Sequence, residues 1–169
     1  MAGMLSRRFS LMEIAMVMLV VAILVYFLAS RLLRYFEFAE KAAMTITVLE
    51  VERGMRVRLA LSAMGGPPAS VDELRSVNPF EFAHAIPPNY LGELGASADL
   101  GELKRGNWFY DRERHEIGYL PRLASRLRTP DGKDIAVLRF RVERGGGSNR
   151  LPHLAPAFDY RWEPEFGTF

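Results

Sequence analysis

Phe9-Ser10-Leu11-Met12-Glu13-Ile14-Ala15-Met16-Val17-Met18-Leu19-Val20-Val21-Ala22-Ile23-Leu24 decides the fold. The apolar character runs on to Ala29, and between Phe9 and Ala29 the only polar side chains are Ser10, Glu13 and the Tyr26 phenol. About 20 such residues, at 1.5 Å each, cross a hydrocarbon core of roughly 30 Å. Arg7 and Arg8 precede the run and Arg31 and Arg34 follow it, so flanking charge orients it only weakly. A cleaved secretory signal fits less well than a retained single-pass anchor. The apolar run exceeds the usual ~7–15 residues, and Leu28-Ala29-Ser30 leads straight into Arg31 without a cleavage site. A carboxylate in a membrane helix costs about 2.5–3.5 kcal/mol even on the gentler scales, which marks Glu13 as a functional residue.

Helical character continues beyond the apolar run. Leu32, Phe36, Ala39, Ala43 and Ile46 recur on one helix face, and Val48, Val51, Met55 and Leu59 form a second stripe. Glu52 and Arg56 make an i,i+4 pair beside that stripe. Gly54 is the earliest interruption, and Gly65-Gly66-Pro67-Pro68 is the firm stop. An unbroken helix from Phe9 to Met64 would be roughly 84 Å long.

The order Phe9, Ser10, Leu11, Met12, Glu13 resembles the N-terminal signature of type IV pilins and type II secretion pseudopilins. The aliphatic texture of Ile14 to Leu24 agrees, and the likeness covers about the first 45 residues. In that family a basic leader precedes a Phe that becomes the N-methylated first residue, and the Glu pairs with a neighbouring subunit's N-terminal amine. The resemblance implies a minor pilin or pseudopilin, non-enzymatic, that assembles with other pilin-like subunits through its N-terminal helix. It places the leader in the bacterial cytoplasm, the helix among inner-membrane lipids and the head in the periplasm. Arg8 stands where the family's prepilin peptidase expects Gly, which sets cleavage and methylation at Phe9 against the family pattern. An uncleaved Phe9 has no free amine, and Glu13 would turn to Arg7 or Arg8 instead; a Glu that snorkels to the headgroups is the plainer reading.

The expected organisation is a basic leader (1–8), the transmembrane half of a spine helix (9–30), its amphipathic periplasmic half (31–64) and a globular head (65–169). The head is long enough for one small domain. Ser70-Val71-Asp72-Glu73 reads as a capping box, and Asn78-Pro79 as the start of a helix running to about His84. Pro87-Pro88-Asn89-Tyr90 forces a turn. Trp108 to Tyr110 and Glu116 to Pro121 form a hairpin across a polar turn. After the Asp131-Gly132 turn, Ala136, Leu138, Phe140 and Val142 share one strand face. Gly145 to Asn149 is a connection, and Phe158, Tyr160 and Trp162 alternate on a last strand. The predicted fold class is α+β, a long helical spine carrying a small antiparallel sheet of about four strands.

Catalytic and cofactor signals are weak. The absence of Cys excludes thiol catalysis and disulfides. His84, His115 and His153 stand far apart, without metal-ligand spacing. Asp131 with Asp134, or Asp159, Glu163 and Glu165, offer oxygens but match no calcium loop. Gly145 to Gly147 lack the Lys of a phosphate loop. No cofactor or metal is expected. The net charge of +2 is too mild to suggest nucleic acid. Arg122, Arg126, Arg128 and Lys133 form a basic cluster, read as a solvated face, with a phosphate or DNA contact as the minority reading. The rival class is a signal-anchored periplasmic enzyme or sensor.

Overall fold

The computed structural model describes residues 10–95, 99–132, 135–146 and 151–162 of the chain. The helix α1 spans Leu11–Ala63, 53 residues, or about 80 Å. Ser10 caps it in an extended conformation. Its Oγ accepts from the Met12 N–H at 3.3 Å, and Glu13 Oε2 accepts from the Ser10 N–H at 2.9 Å, a reciprocal capping box. At the other end Gly65 takes φ 89°, the left-handed conformation that stops helices, and the Gly66 N–H returns to the Leu61 carbonyl at 2.9 Å.

Gly54 does not break the helix. It is the point where the head's backbone comes closest, since a Cβ there would lie 1.7 Å from the Phe82 carbonyl oxygen. The head packs on the face bearing Glu37, Met44, Val51, Glu52 and Met55, all buried. The stripe Val48, Val51, Met55, Leu59 is part of that face. The other stripe is not: Leu32, Phe36, Ala39, Ala43 and Ile46 are exposed. Apolar periodicity identified both stripes as faces of the helix but could not tell which one the head would cover.

A short helix α2, Val71–Ser76, starts where Ser70 Oγ accepts from the Glu73 N–H at 3.1 Å. Asn78 caps the next element, with Oδ1 accepting from the Phe80 N–H at 3.1 Å. That element is a single 3₁₀ turn, Pro79–Phe82, rather than a helix to His84. Phe80 is fully buried and the Phe82 backbone lies against Gly54, so contact with α1 fixes the segment before a second turn can form.

Among the described residues seven strands follow: β1 Tyr90–Leu94, β2 Asn107–Asp111, β3 Glu116–Leu120, β4 Leu127–Arg128, β5 Leu138–Arg144, β6 Pro152–Pro156 and β7 Arg161–Trp162. Five form one sheet in the order β1-β2-β3-β5-β6, and β4 pairs with β7. The β2–β3 hairpin is as expected, with Trp108 opposite Tyr119 and Phe109 opposite Gly118. The sheet is mixed rather than wholly antiparallel, because β1 runs parallel to β2. Two details of the expected strands change. Ile135, not Ala136, is buried ahead of β5, and only Arg161 and Trp162 of the last expected strand pair, while Phe158 and Tyr160 pack half-buried beside the core. Of the expected 145–149 connection, residues 147–149 lie outside the described residues.

The core is the seam between the sheet and the second half of α1. Trp108 stacks 4.6 Å from Tyr119, Phe80 lies 4.5 Å from Tyr90, and Met55, Leu138 and Phe140 fill the remainder. The other face of β2 is closed by Phe109, whose ring lies over Gly118; a Cβ there would sit 2.0 Å from the ring. The result is α+β, a helical spine carrying a small sheet head.

Candidate assembly surface and the seating of the head

Two features of α1 dominate the molecule. From Leu11 to Ala29 every residue is exposed, and this segment is long and apolar enough to cross a membrane. Further along, the helix holds the head through carboxylates rather than through apolar contact alone.

Glu37 is the most buried of these, 3 % exposed. Its Oε1 accepts from the Trp162 Nε1–H and the Arg126 N–H, both at 3.1 Å, and its Oε2 from the Ser125 hydroxyl at 2.7 Å. One turn on, Glu40 Oε1 accepts from the Tyr119 hydroxyl at 2.8 Å and the Arg122 N–H at 2.6 Å, and its Oε2 from the Leu123 N–H at 2.9 Å. Burial, then the facing Glu40 carboxylate, pushes the Tyr119 phenol well above its ordinary ionisation range. Lys41 Nζ donates to the Trp162 carbonyl. Glu52, 8 % exposed, joins its expected partner Arg56 at 3.0 Å and also accepts from the Leu154 N–H on β6 at 2.9 Å. The segment 121–126 has no regular structure of its own, so Glu37 and Glu40 serve its backbone amides in place of a ladder. Sequence reading found Glu52 but not Glu37 or Glu40. In Arg34-Tyr35-Phe36-Glu37-Phe38-Ala39-Glu40-Lys41 the two acids stand among other charges, so no local signal set them apart.

Glu13 stands on the bare segment, and its carboxylate is engaged locally by the Ser10 N–H. A carboxylate has about four lone-pair sites, so this one bond leaves acceptor capacity. Ser10 to Glu13 has the Ser-x-x-Glu spacing of a capping box, which the sequence reading noted at Ser70 to Glu73 but not here. Leu11 and Met12 are exposed on the first turn, while Arg8 and Phe9 lie outside the described residues.

The basic cluster is only partly gathered. Arg122 and Arg126 ride on the segment whose amides bind Glu40 and Glu37. The Arg128 guanidinium turns onto the Ala124 and Leu127 carbonyls, at 3.4 and 3.0 Å. Lys133 lies outside the described residues. Arg122 closes over Gly106 and lines a cleft of about 490 Å³ between spine and head, together with Phe36, Glu40, Ala43, Asn89, Tyr119 and Leu123.

A second polar group surrounds the hairpin. Arg139 bridges Asp111 at 2.9 Å and Glu116 at 3.5 Å, and Glu93 holds Arg112 at 2.7 Å. Burial raises the Asp111 pKa, but the Arg139 and backbone hydrogen bonds outweigh it, and the carboxyl lies below its ordinary range. The Arg112 and Asn78 hydrogen bonds lower Glu93 in the same direction. Acids held ionised in this way are poorly matched to general acid–base work near neutral pH. His115 Nδ1 lies 3.1 Å from the Tyr110 hydroxyl. Among the described residues no three His, Asp or Glu side chains gather to hold a metal. Asp134, Glu163 and Glu165 lie outside them.

Comparison with models of known protein families, with curated proteins and with solved structures finds no match.

Proposed function

We propose that this chain is a non-enzymatic, pilin-like subunit, a minor pilin or pseudopilin, of a bacterial inner-membrane filament of the type IV pilus or type II secretion kind. The observation that carries the reading is the continuity of α1. One helix runs from a bare apolar segment, opening on Ser10-Leu11-Met12-Glu13, into the head's core without a hinge. A membrane anchor that merely tethered an enzyme would need no such rigid coupling. A subunit packed beside its neighbours does, because the position of the helix then sets the position of the head.

In this reading the bare helix lies in inner-membrane lipid before assembly and against other pilin-like subunits afterwards, with the leader cytoplasmic and the head periplasmic. Glu13 is the intersubunit contact. Lipid disfavours an unpartnered carboxylate, and the bond from Ser10, the single one among the described residues, leaves room for a donor from the adjacent subunit. Arg8 bears on processing. A peptidase subsite that fits Gly excludes a long charged side chain, so the leader stays on and Phe9 remains internal.

Intact mass of the protein from membrane fractions, with and without co-expressed prepilin peptidase, tests this directly. The reading expects the wild type to keep its leader and Arg8→Gly to be cut before Phe9. An Arg8→Gly chain that the peptidase ignores overturns family membership. A wild type that begins with N-methyl-Phe9 overturns the subsite argument and restores the free amine as the partner of Glu13.

A further inference from the structure

We infer that a second copy of this chain packs along the exposed side of α1, the two helices parallel and level in a left-handed coil with the heads on its outside. The inference rests on the reading that Leu11 to Ala29 crosses the bilayer. It names one neighbour for the helix, and Glu13 takes no part in that contact.

A repeat of seven runs through both halves of the helix. In the bare segment the small residues Ala15, Ala22 and Ala29 stand seven apart, and such residues let helices approach closely in lipid. The same count continues outside at Phe36, Ala43 and Val57. Leu32, Ala39, Ile46 and Ala60 fill the alternating three-and-four spacing of a coiled-coil seam. Every one of these positions is exposed, Phe36 by 60 % and Ile46 by 61 %. Leu32 to Ala60 covers about 43 Å of helix beyond the membrane, or about four heptads, enough for a coiled coil. An apolar stripe of this length left to water marks an interaction surface. The head sits on the other side. Glu37, Met44 and Val51, themselves seven apart, and Met55 are buried under it, roughly 130° to 170° round the helix from the seam's midline. Phe36 and Ala43 also wall the cleft beside Arg122 and Leu123, so a second helix on the seam closes that cleft.

Depth and charge select a second copy as the occupant. A bilayer that holds the same bare segment of both chains keeps them parallel and at one depth, so each seam residue meets its own twin. The seam from Ala15 to Ala60 is charged at one step, Glu50 and Arg53, which pair with each other at 3.2 Å on the helix surface. A two-fold axis along the seam brings Arg53 of each copy beside Glu50 of the other, so the step is complementary to itself. A slip of one heptad would set these charges against Ala43 and Ile46, or against Val57 and Ala60, of the second copy. One polar step in an apolar seam fixes register in this way.

The chain contains no Cys, so single cysteines report contacts without background. The full chain is expressed in a host without other pilin-like subunits, and its membranes are oxidised mildly. Ala43→Cys, Ile46→Cys and Ala60→Cys should each give disulfide-linked homodimers, any one serving if another fails to fold. Thr45→Cys, exposed but off the seam, should give about tenfold less, because a disulfide forms only where the two chains meet closely. Glu50→Arg or Arg53→Glu should each cut the Ile46→Cys dimer several-fold, and the two together should restore it. Equal yields at Thr45 and Ile46, no homodimer, or links to another protein alone overturn the inference. Stronger links between Ile46→Cys in one chain and Arg53→Cys in another than between twin residues overturn the level register, as do unchanged yields in both charge variants. Glu13→Gln should leave the links intact. Links that persist while prepilin peptidase ignores Arg8→Gly support the pair and refute the pilin reading alone. A chain released by carbonate extraction overturns the membrane reading and this inference with it.

Discussion

Glu37 offers the sharpest test of how the head is seated. Glu37→Ala removes an acceptor from three donors at once: the Trp162 indole N–H, the Arg126 amide and the Ser125 hydroxyl. Ser125 is exposed and water replaces its partner. Trp162 is 2 % exposed, so its N–H is left buried and unsatisfied, and the Arg126 amide is half-buried. At about 1–3 kcal/mol per orphaned buried donor, the loss comes to roughly 3–5 kcal/mol. Glu37→Gln behaves differently. An amide oxygen placed at Oε1 still accepts from Trp162 and Arg126, and the amide nitrogen can donate to a turned Ser125 hydroxyl. That substitution should cost only about 1 kcal/mol. Followed by circular dichroism in detergent, and at about 4 °C per kcal/mol for a domain of this size, Ala should lower the melting temperature by more than 10 °C and Gln by less than about 5 °C. Equal shifts for the two variants would falsify the claim that acceptor geometry at Glu37 seats the head.

Gly54→Ala should destabilise the head by a few kcal/mol even though Ala favours helices by about 1 kcal/mol, since its Cβ would meet the Phe82 carbonyl; a raised melting temperature would refute the close approach. Burial, then the nearby Glu93 carboxylate, pushes Tyr110 up to about 12. A phenol raised above its unfolded value contributes stability below about pH 10 that fades as pH climbs toward 12. Denaturant midpoints should therefore fall through that window, and less so in Tyr110→Phe. Glu13→Gln should leave membrane insertion intact, or improve it, because a neutral amide enters lipid at lower cost than a carboxylate; carbonate extraction reads this out.

The spine was legible because its signals are local. Unbroken apolar residues, a Gly-Gly-Pro-Pro stop and capping residues act within a turn or two, and the helix ends fall within two residues of the expected positions. The β2–β3 hairpin was legible for the same reason. What was missed depends on distant partners. Strand β1 alternates in burial, but Leu91 takes an exposed place and Gly92, at φ 95° where the register with β2 breaks, a half-buried one, so its residue types show no period of two. Strand β6 begins and ends with Pro, which an edge position tolerates and a sequence pattern discounts. Of the two apolar stripes on α1, only tertiary contact decided that Val51 and Met55 meet the head while Leu32 and Ile46 face out. Glu37 and Glu40 look like ordinary surface acids in sequence, and their donors lie some 80 to 125 residues away.

The most direct test of the central claim is crosslinking along the bare helix. A photoreactive residue placed at Val17, exposed on α1, would be activated in membranes of the native host, in wild type and in Glu13→Gln. The account predicts adducts to pilin-like subunits in the wild type and their loss in Glu13→Gln, with both proteins equally inserted. Adducts to lipid alone in wild type, or adducts to subunits undiminished by Glu13→Gln, would contradict it.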